Sequence, residues 1–365
     1  MEVCADDRRL MLRALELAAR GLGHVEPNPP VGCVVVSDGQ VVGEGWHRKF
    51  GGPHAEVEAL AAAGKSASGC TLYVTLEPCC HQGKTPPCTD GLIAAGVKRV
   101  VIGCGDPNPR VAGGGIAALR SAGIQVDCDV LAEEAGELIG PFAKLLTEGR
   151  PWTIAKWAMT LDGKLASRTG SSQWITSEAS RAVVHRLRGR MDAILIGRGT
   201  AEADDPLLTA RPQGPRTATR VVLDSQASLS PESRLVGSLQ QAPLLIVASE
   251  SAPEKKCRRL RELGVEVLQL PGERAARLDE TLRELGRREI TNLLVEGGSD
   301  VLGALLDADA IDEVHAFIGP KLIGGSTAPS AFAGAGIQQM CDATRLHGVA
   351  LEVLDGDLYV RGLVR

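Results

Sequence analysis

The chain has 365 residues, of which 44% are apolar, 23% charged and 3% aromatic, and its formal net charge is −5. That length exceeds what one hydrophobic core serves, so two domains are expected, and the apolar and charged fractions exclude a largely disordered chain. Residues 1–146 carry 13 basic and 17 acidic side chains and residues 147–365 carry 27 and 28; neither half has the basic excess of a nucleic-acid surface, and the few aromatic residues argue against a base-stacking platform.

The opening MEVCADDRRLMLRALELAAR reads as an amphipathic helix. It lacks the continuous apolar run of a secretory leader, and no stretch approaches the ~18 apolar residues of a membrane span, so a cytoplasmic protein without a membrane partner is expected. VGCVVVS (31–37) and QVVGEGW (40–46) predict two strands joined by a tight Asp38-Gly39 turn. A helix over 54–64, a strand over 70–76, a helix over 87–95 and a strand over 98–104 follow, then a helix entered through the glycines 113–115 and a last strand over 124–130. The alternation implies a mixed α/β sheet flanked by helices, with the hairpin as an antiparallel edge. After a break at TEGRPW (147–152), strands are predicted from TIAKWAM (153–159), DAILIG (192–197), TRVVLD (219–224), PLLIVAS (243–249), VEVLQL (265–270), TNLLVEGG (291–298) and EVHAFIG (313–319). Helices are predicted over 178–189 and 299–307, and a closing hairpin turns at Asp355-Gly356. The domains expected are 1–146 and 147–365.

Eight of the ten cysteines fall in the first 128 residues, which in a chain of this kind suggests metal or thiolate chemistry rather than disulfides. Cys33 and Cys104 lie in apolar strand-like runs and read as small buried hydrophobes. The informative residues are His54-Ala55-Glu56, Pro78-Cys79-Cys80 and Pro87-Cys88. His54, Cys79 and Cys88 offer the nitrogen and sulfur donors zinc prefers, at helix starts or turns where backbone N–H groups favour a thiolate, and three ligands leave one position open for water. Glu56, two residues from His54, can take a proton from that water and return it to a leaving amine. H-x-E…P-C-x-x-C marks zinc nucleobase deaminases, but here eight residues separate the cysteines rather than two. Cys80 and His81 are also potential ligands, so a closed structural zinc site is the competing reading; such a site has no need of Glu56 beside its histidine.

PNPPVG (27–32), HAE (54–56), LEPCCHQGKTPPC (76–88) and DPNPRVAGGG (106–115) resemble the deaminase domain of the bifunctional riboflavin-biosynthesis deaminase/reductase family. In that family the long PCxHxGxTPPC loop separates the two cysteines, which accounts for the spacing and leaves Cys80 outside the zinc site. The resemblance implies a cytidine-deaminase-like fold, one zinc per chain, and a diaminopyrimidinone substrate bearing a 5-phosphoribosylamino group. It further implies that Asn28, His47 and Lys84 hold that substrate, with Lys84 near the phosphate.

Bottom-up, residues 151–365 are less legible. No GxGxxG follows a strand, and VEGGSD (295–300) is a weak indication of backbone amides reaching a phosphate. AKWAMTLDGKLA (155–166), SSQWITS (171–177), TAEADDPLLTAR (200–211), LDS (223–225) and LVEGG (294–298) resemble the reductase domain of the same family. This implies a dihydrofolate-reductase-like α/β fold that uses NADPH to reduce the ring-opened ribosyl group to ribityl. By matching motifs, Ala158, Trp174, Thr200, Asp204, Ser225 and the segment Gly298, Ser299, Asp300, Val301, Leu302, Gly303 and Ala304 would touch NADPH. Ser172, Arg188, Leu208, Arg211 and Glu296 would touch the small-molecule substrate, the two arginines suiting a phosphate. Lys156, Asp204 and Glu296 are the ionisable candidates for proton handling, and the family suggests a homo-oligomer. Two other readings compete: a deaminase with a non-catalytic C-terminal association domain, and a zinc-stabilised binding protein without turnover.

Overall fold

A computed structural model describes residues 5–81, 86–109 and 111–364. The chain divides into two compact units, Met1–Gly149 and Arg150–Arg365.

The first unit holds α1 (Ala5–Ala19), β1 (Gly32–Ser37), β2 (Gln40–Trp46), α2 (Ala55–Ala63), β3 (Thr71–Leu76), α3 (Cys88–Ala94), β4 (Arg99–Cys104), α4 (Gly114–Ser121), β5 (Gln125–Asp127) and α5 (Ala132–Glu148). Its five strands lie in the order β2-β1-β3-β4-β5. Strand β1 runs antiparallel to β2 and β3, while β3, β4 and β5 are parallel. The β1–β2 turn places Asp38 and Gly39 at φ 50° and 77°, the double left-handed conformation of a tight hairpin. Alternate strand residues feed two cores. Cys33, Val35, Leu72, Val74 and Ile102 pack with α2, α3 and α4; Val34, Val36, Tyr73 and Val101 pack with Leu10, Met11 and Leu17 of α1. Cys33 is fully buried as expected, whereas Cys104 is half-buried.

Helix α2 lies close on β2 because the strand carries glycine where they meet. A Cβ on Gly45 would sit 2.4 Å from the Ala59 nitrogen and 2.5 Å from the Ala55 oxygen, so any larger residue would push the helix off the sheet. This contact fixes where the first turn of α2, with its His54-x-Glu56 sequence, stands. The expectations missed α5 altogether. It contains Pro141 and runs through the expected 146/147 junction before Gly149 ends it at φ 67°.

The second unit holds β6 (Trp152–Thr160), α6 (Glu178–Arg188), β7 (Ala193–Gly197), α7 (Arg198–Asp204), β8 (Thr219–Leu223), α8 (Arg234–Gly237), β9 (Leu244–Ser249) and α9 (Glu254–Glu262). It continues with β10 (Glu266–Leu270), α10 (Arg274–Arg287), β11 (Asn292–Val295), α11 (Ser299–Asp307), β12 (Glu313–Gly319), β13 (Leu346–Leu354) and β14 (Asp357–Val364). The nine strands lie in the order β10-β9-β8-β7-β11-β6-β12-β14-β13. The first seven in that order are parallel, and the β13–β14 hairpin adds two antiparallel strands through β12. Central strands β7, β9 and β11 are buried throughout, the near-continuous apolar pattern of strands covered on both faces. Their carboxyl ends open towards the segments after β7, β8 and β11, where α/β sheets place their ligands.

Candidate metal centre and second-unit cavity

In the first unit, His54 caps α2 with extended backbone (φ −73°, ψ 162°), Cys88 is the first residue of α3, and Cys79 follows β3. Their ligand atoms lie within 4.8 Å of one another. His54 Nδ1 is 3.2 Å from Cys88 Sγ and 3.7 Å from Cys79 Sγ. A zinc ion bound tetrahedrally by an imidazole nitrogen and a thiolate holds those two atoms about 3.5 Å apart, so this donor set fits the metal without rearrangement. The Cys88 backbone N–H donates to Cys79 Sγ at 3.3 Å, and the hydrogen bond between the two thiols keeps Cys79 below the ordinary thiol range, the thiolate form a metal takes. Among the described residues, neither Cys80 nor His81 joins this cluster.

Glu56 is buried, and that burial pushes its carboxyl above the usual range. It stands one residue inside α2, against the cysteine–histidine cluster, with Cys88 among its hydrogen-bonding neighbours. Asn28 and His47 complete this wall. Burial lowers the proton affinity of His47, and its Nδ1 lies 2.9 Å from the Pro53 carbonyl. A carbonyl only accepts, so Nδ1 carries the proton and Nε2 accepts from Asn28 Nδ2 at 3.2 Å. The His47 and His54 rings meet edge to face with centroids 5.7 Å apart. Lys84 lies outside the described residues.

Sequence reasoning missed Glu77, which is 3% exposed. Its Oε1 accepts from the backbone N–H groups of Gly115 (2.9 Å) and Ile116 (3.2 Å), and its Oε2 from those of Gly113 (3.0 Å) and Asp106 (3.3 Å). The glycines at 113–115 are therefore a helix entry, as expected, and their ligand is this carboxylate. The signal available was an acid directly before Pro78-Cys79 and a glycine-rich helix start that needed an acceptor.

The second unit contains a cavity of about 1250 Å³. Its walls include Lys156, Ala158, Ser172, Trp174, Arg188, Thr200, Asp204, Leu208, Arg211, Ser225, Glu296, Gly298, Ser299, Asp300, Val301 and Ala304. Two expected contacts are not in those walls. Leu302 is fully buried in the core beneath the sheet. A Cβ on Gly303 would lie 2.0 Å from the Ala333 oxygen, so Gly303 serves packing. Both point away because successive helical residues turn by about 100°, and only part of α11 can face the cavity.

Glu296 is the charged centre of one wall. Arg188 grips it from two sides, Nε to Oε1 at 2.5 Å and Nη2 to Oε2 at 2.9 Å, and Lys156 Nζ lies 3.2 Å from Oε2. Burial alone would raise this carboxyl, but the two cations overcome it and hold it down to about 2. The Arg188 fork, expected for a phosphate, is thus engaged by Glu296. Arg211 is exposed, with His185 as its near neighbour at 3.5 Å. The Ser172 hydroxyl donates to Asp204 at 3.3 Å. Trp174 is 61% exposed with the Arg181 guanidinium 4.5 Å above its ring, which rules out a core role.

The start of α11 fits a phosphate group. No side chain caps it, which leaves amide donors of its first turn for a ligand. A Cβ on Gly298 would lie 3.2 Å from Thr200 Oγ1, so glycine keeps that approach open. Two buried residues that sequence reasoning missed shape the neighbouring loops. Asp224 accepts from the backbone N–H groups of Gln226, Ser228 and Leu229 and so sets the turn that presents Ser225; an aspartate ahead of a Ser-Gln-Ala-Ser run is the available sign of such a turn. Arg220, fully buried, donates to the carbonyls of Leu207, Ser238 and Ala242, and burial lowers its guanidinium to about 10.

Residues 4–104 match the family model of the cytidine and deoxycytidylate deaminase zinc-binding region, and residues 151–360 that of the RibD C-terminal domain. The chain is 43% identical to the riboflavin biosynthesis protein RibD of Aquifex aeolicus over 97% of both chains. It is 42% identical to that of Escherichia coli, covering 92% of this chain and 94% of the other. Among solved structures, it matches Acinetobacter baumannii RibD at a TM-score of 0.85 and 36% identity, over 99% of each chain. It matches the Thermotoga maritima diaminohydroxyphosphoribosylaminopyrimidine deaminase/5-amino-6-(5-phosphoribosylamino)uracil reductase at 0.85 and 40%, again over 99% of each.

Proposed function

The chain belongs to the RibD family of bifunctional riboflavin-biosynthesis enzymes, and from that membership we propose how its residues divide the two reactions. It is a deaminase and a reductase in one polypeptide: a cytidine-deaminase-like, zinc-binding domain precedes a dihydrofolate-reductase-like domain that uses NADPH. The observation that carries the assignment of roles is the meeting of His54, Cys79 and Cys88 with the buried carboxyl of Glu56 beside them.

When bound, zinc supplies a water made acidic enough to attack at neutral pH. His54 Nδ1 and the Sγ atoms of Cys79 and Cys88 would hold the metal. The Glu56 carboxylate accepts the proton that the water loses and passes it to the exocyclic nitrogen, which leaves as ammonia while the ring carbon gains oxygen. Buried Glu56 suits this exchange because a carboxyl of raised proton affinity gives up its proton more evenly to an amine. Asn28, with its amide nitrogen committed to His47, keeps its carbonyl oxygen for the pyrimidine edge. Lys84 is proposed for the ribose phosphate.

In the second domain the cavity at the carboxyl ends of β11, β7 and β8 would hold NADPH, the start of α11 receiving its pyrophosphate and Ala158 and Trp174 its nicotinamide. The substrate lies towards Ser172, Leu208, Arg211 and the Arg188–Glu296–Lys156 group, and Arg211 takes its phosphate. NADPH would supply hydride for the sugar carbon, and Lys156, Asp204 and Glu296 are the ionisable side chains available for the accompanying proton. The test is incubation with the diaminopyrimidinone phosphate and NADPH, following both ammonia and NADPH. One ammonia released and one NADPH consumed per substrate is the expected result. Ammonia without NADPH oxidation would favour a deaminase with an inert second half, and neither would remove the enzymatic reading.

We also propose that the protein is a cytoplasmic homo-oligomer joined through the second domain. Among the described residues no helix is long and apolar enough to cross a membrane. Strand β13 ends its sheet, and Val349, Leu351 and Val353, alternate residues on one face, are 57%, 62% and 67% exposed. An apolar edge of this kind is covered in a stable protein, and two copies meeting about a two-fold axis cover it symmetrically. Light scattering after gel filtration should show a dimer or larger, reduced to monomer in Leu351→Glu/Val353→Glu. An unchanged mass would place the interface elsewhere.

A further inference from the structure

The preference of such a reductase for NADPH over NADH requires a group that recognises the 2′-phosphate of the adenine ribose, and no single charge in the sequence stands out for it. The strand order locates where that group must be. Lys156 and Ala158 lie on β6, Gly298 follows β11, Thr200 follows β7 and Ser225 follows β8, and these strands are neighbours in the order β6-β11-β7-β8. Three steps of about 4.8 Å put Ser225 roughly 14 Å from the β6 wall. The cavity is continuous over that distance. A coenzyme with its reactive ring at Ala158 and its pyrophosphate at Gly298 therefore carries its adenosine half towards Ser225.

At that far end the cavity wall is cationic: Lys256 of α9 and Arg274 and Arg277 of α10 all line it. Arg277 donates from Nη2 to the Ser225 hydroxyl oxygen at 2.9 Å and from Nη1 to the Gly272 carbonyl. Both partners are neutral. Among the described residues neither Arg277 nor Lys256 is within ion-pair distance of a carboxylate, whereas Arg274 lies 3.8 Å from Asp300. This differs from the β6 wall, where Glu296 neutralises Arg188 and Lys156. A guanidinium held by a serine hydroxyl, with its charge uncompensated and facing a cavity, is suited to a phosphate dianion, which accepts from both groups at once.

We propose that Ser225 and Arg277, assisted by Lys256, form the subsite that binds the 2′-phosphate of NADPH and sets the coenzyme preference of this enzyme. The proposal rests on the reading of the second domain as an NADPH-using reductase. The Ser225 hydroxyl already touches the guanidinium, and Arg277 and Lys256 both line the cavity into which the phosphate would come. The contact is lost with NADH, which has a hydroxyl at that position, so the cations then face the cavity unpaired.

Isothermal titration of the full-length zinc-loaded protein with NADPH and with NADH, in the absence of pyrimidine substrate, tests this directly. Wild type should bind NADPH more tightly. Arg277→Gln should weaken NADPH by about 10- to 150-fold, the range of a charge-assisted hydrogen bond, and leave the Kd for NADH within about twofold. Lys256→Gln, at an exposed helix position, should act in the same direction with a smaller loss. Affinity of wild type for NADPH should also fall more steeply with salt than its affinity for NADH, and Arg277→Gln should remove most of that difference. Equal weakening of both coenzymes, or no change for NADPH in either variant, overturns the subsite. Failure of the wild type to bind NADPH at all would instead overturn the reductase reading on which the subsite stands.

Discussion

Glu56→Gln should reduce deamination by at least about 10³-fold while zinc remains at the wild-type stoichiometry and the reductase, assayed on already deaminated substrate, keeps its rate. Glutamine has the shape of glutamate and fills the same buried position in the first turn of α2, so the His54–Cys79–Cys88 cluster is left in place. What is lost is the carboxyl beside the cluster that accepts a proton from water and returns it to nitrogen. Positioned acid–base groups contribute about 10²–10⁴-fold for a proton transfer, and here two successive transfers pass through the same carboxyl. Cys88→Ser supplies the contrast: it removes a soft ligand from a three-ligand site, so zinc and deamination should be lost together. Cys80→Ser should retain both, since Cys80 stands outside the cluster. Metal content by atomic absorption, read beside ammonia release, separates the cases. Loss of zinc from Glu56→Gln or from Cys80→Ser would show the ligand set to be wrong, and loss of reductase activity from a folded Glu56→Gln would contradict two independent sites.

The sequence is most legible where chemistry restricts the residue types. Zinc accepts few donors, so His54, Cys79 and Cys88 with Glu56 were recognisable before any geometry. The buried strands were legible for a similar reason, since parallel strands covered on both faces must be apolar runs such as Ala193–Gly197 and Leu244–Ser249. Helix α5 was not, because Gly136, Gly140 and Pro141 interrupt the pattern that announces a helix; its amphipathic packing carries it nonetheless. Glu77 escaped notice because its partners are backbone N–H groups 29 to 39 residues away, and a backbone donor has no sequence signature. The Ser225–Arg277 contact spans 52 residues and joins two elements that only the strand order makes neighbours. In α11 the resemblance marked a continuous segment, but a helix shows a ligand only one face, and Leu302 and Gly303 lie on the other.

Glu296→Gln should destabilise the second domain by about 3–5 kcal/mol at pH 7 and cripple the reductase, with the deaminase as an unaffected internal control. The carboxylate is buried between Arg188 and Lys156, so an amide in its place leaves two cations facing each other with no counter-charge, the costly way to break a buried ion pair. In a domain of this size such a loss lowers Tm by roughly 6–20 °C. The pH dependence distinguishes this electrostatic origin from a packing defect. Glu296 is held down to about 2 in the folded protein by Arg188 and Lys156, against the opposing effect of burial, while an unfolded glutamate titrates near about 4.3. A carboxyl depressed on folding contributes its stability in full above the unfolded value and loses it as pH falls through the folded one. The contribution is on the order of 3 kcal/mol above about pH 5, declining between about pH 4.5 and pH 2. Wild type should therefore lose stability through that window and Glu296→Gln should not lose this component, so the gap between their unfolding free energies should narrow as the solution is acidified. Urea denaturation at several pH values, followed by a signal from the second domain, measures that gap. A gap that stays constant from pH 7 to pH 3 would mean that the Arg188–Glu296–Lys156 group is held by packing alone, and a variant that melts with wild type at pH 7 would show that its charges do not support the cavity wall.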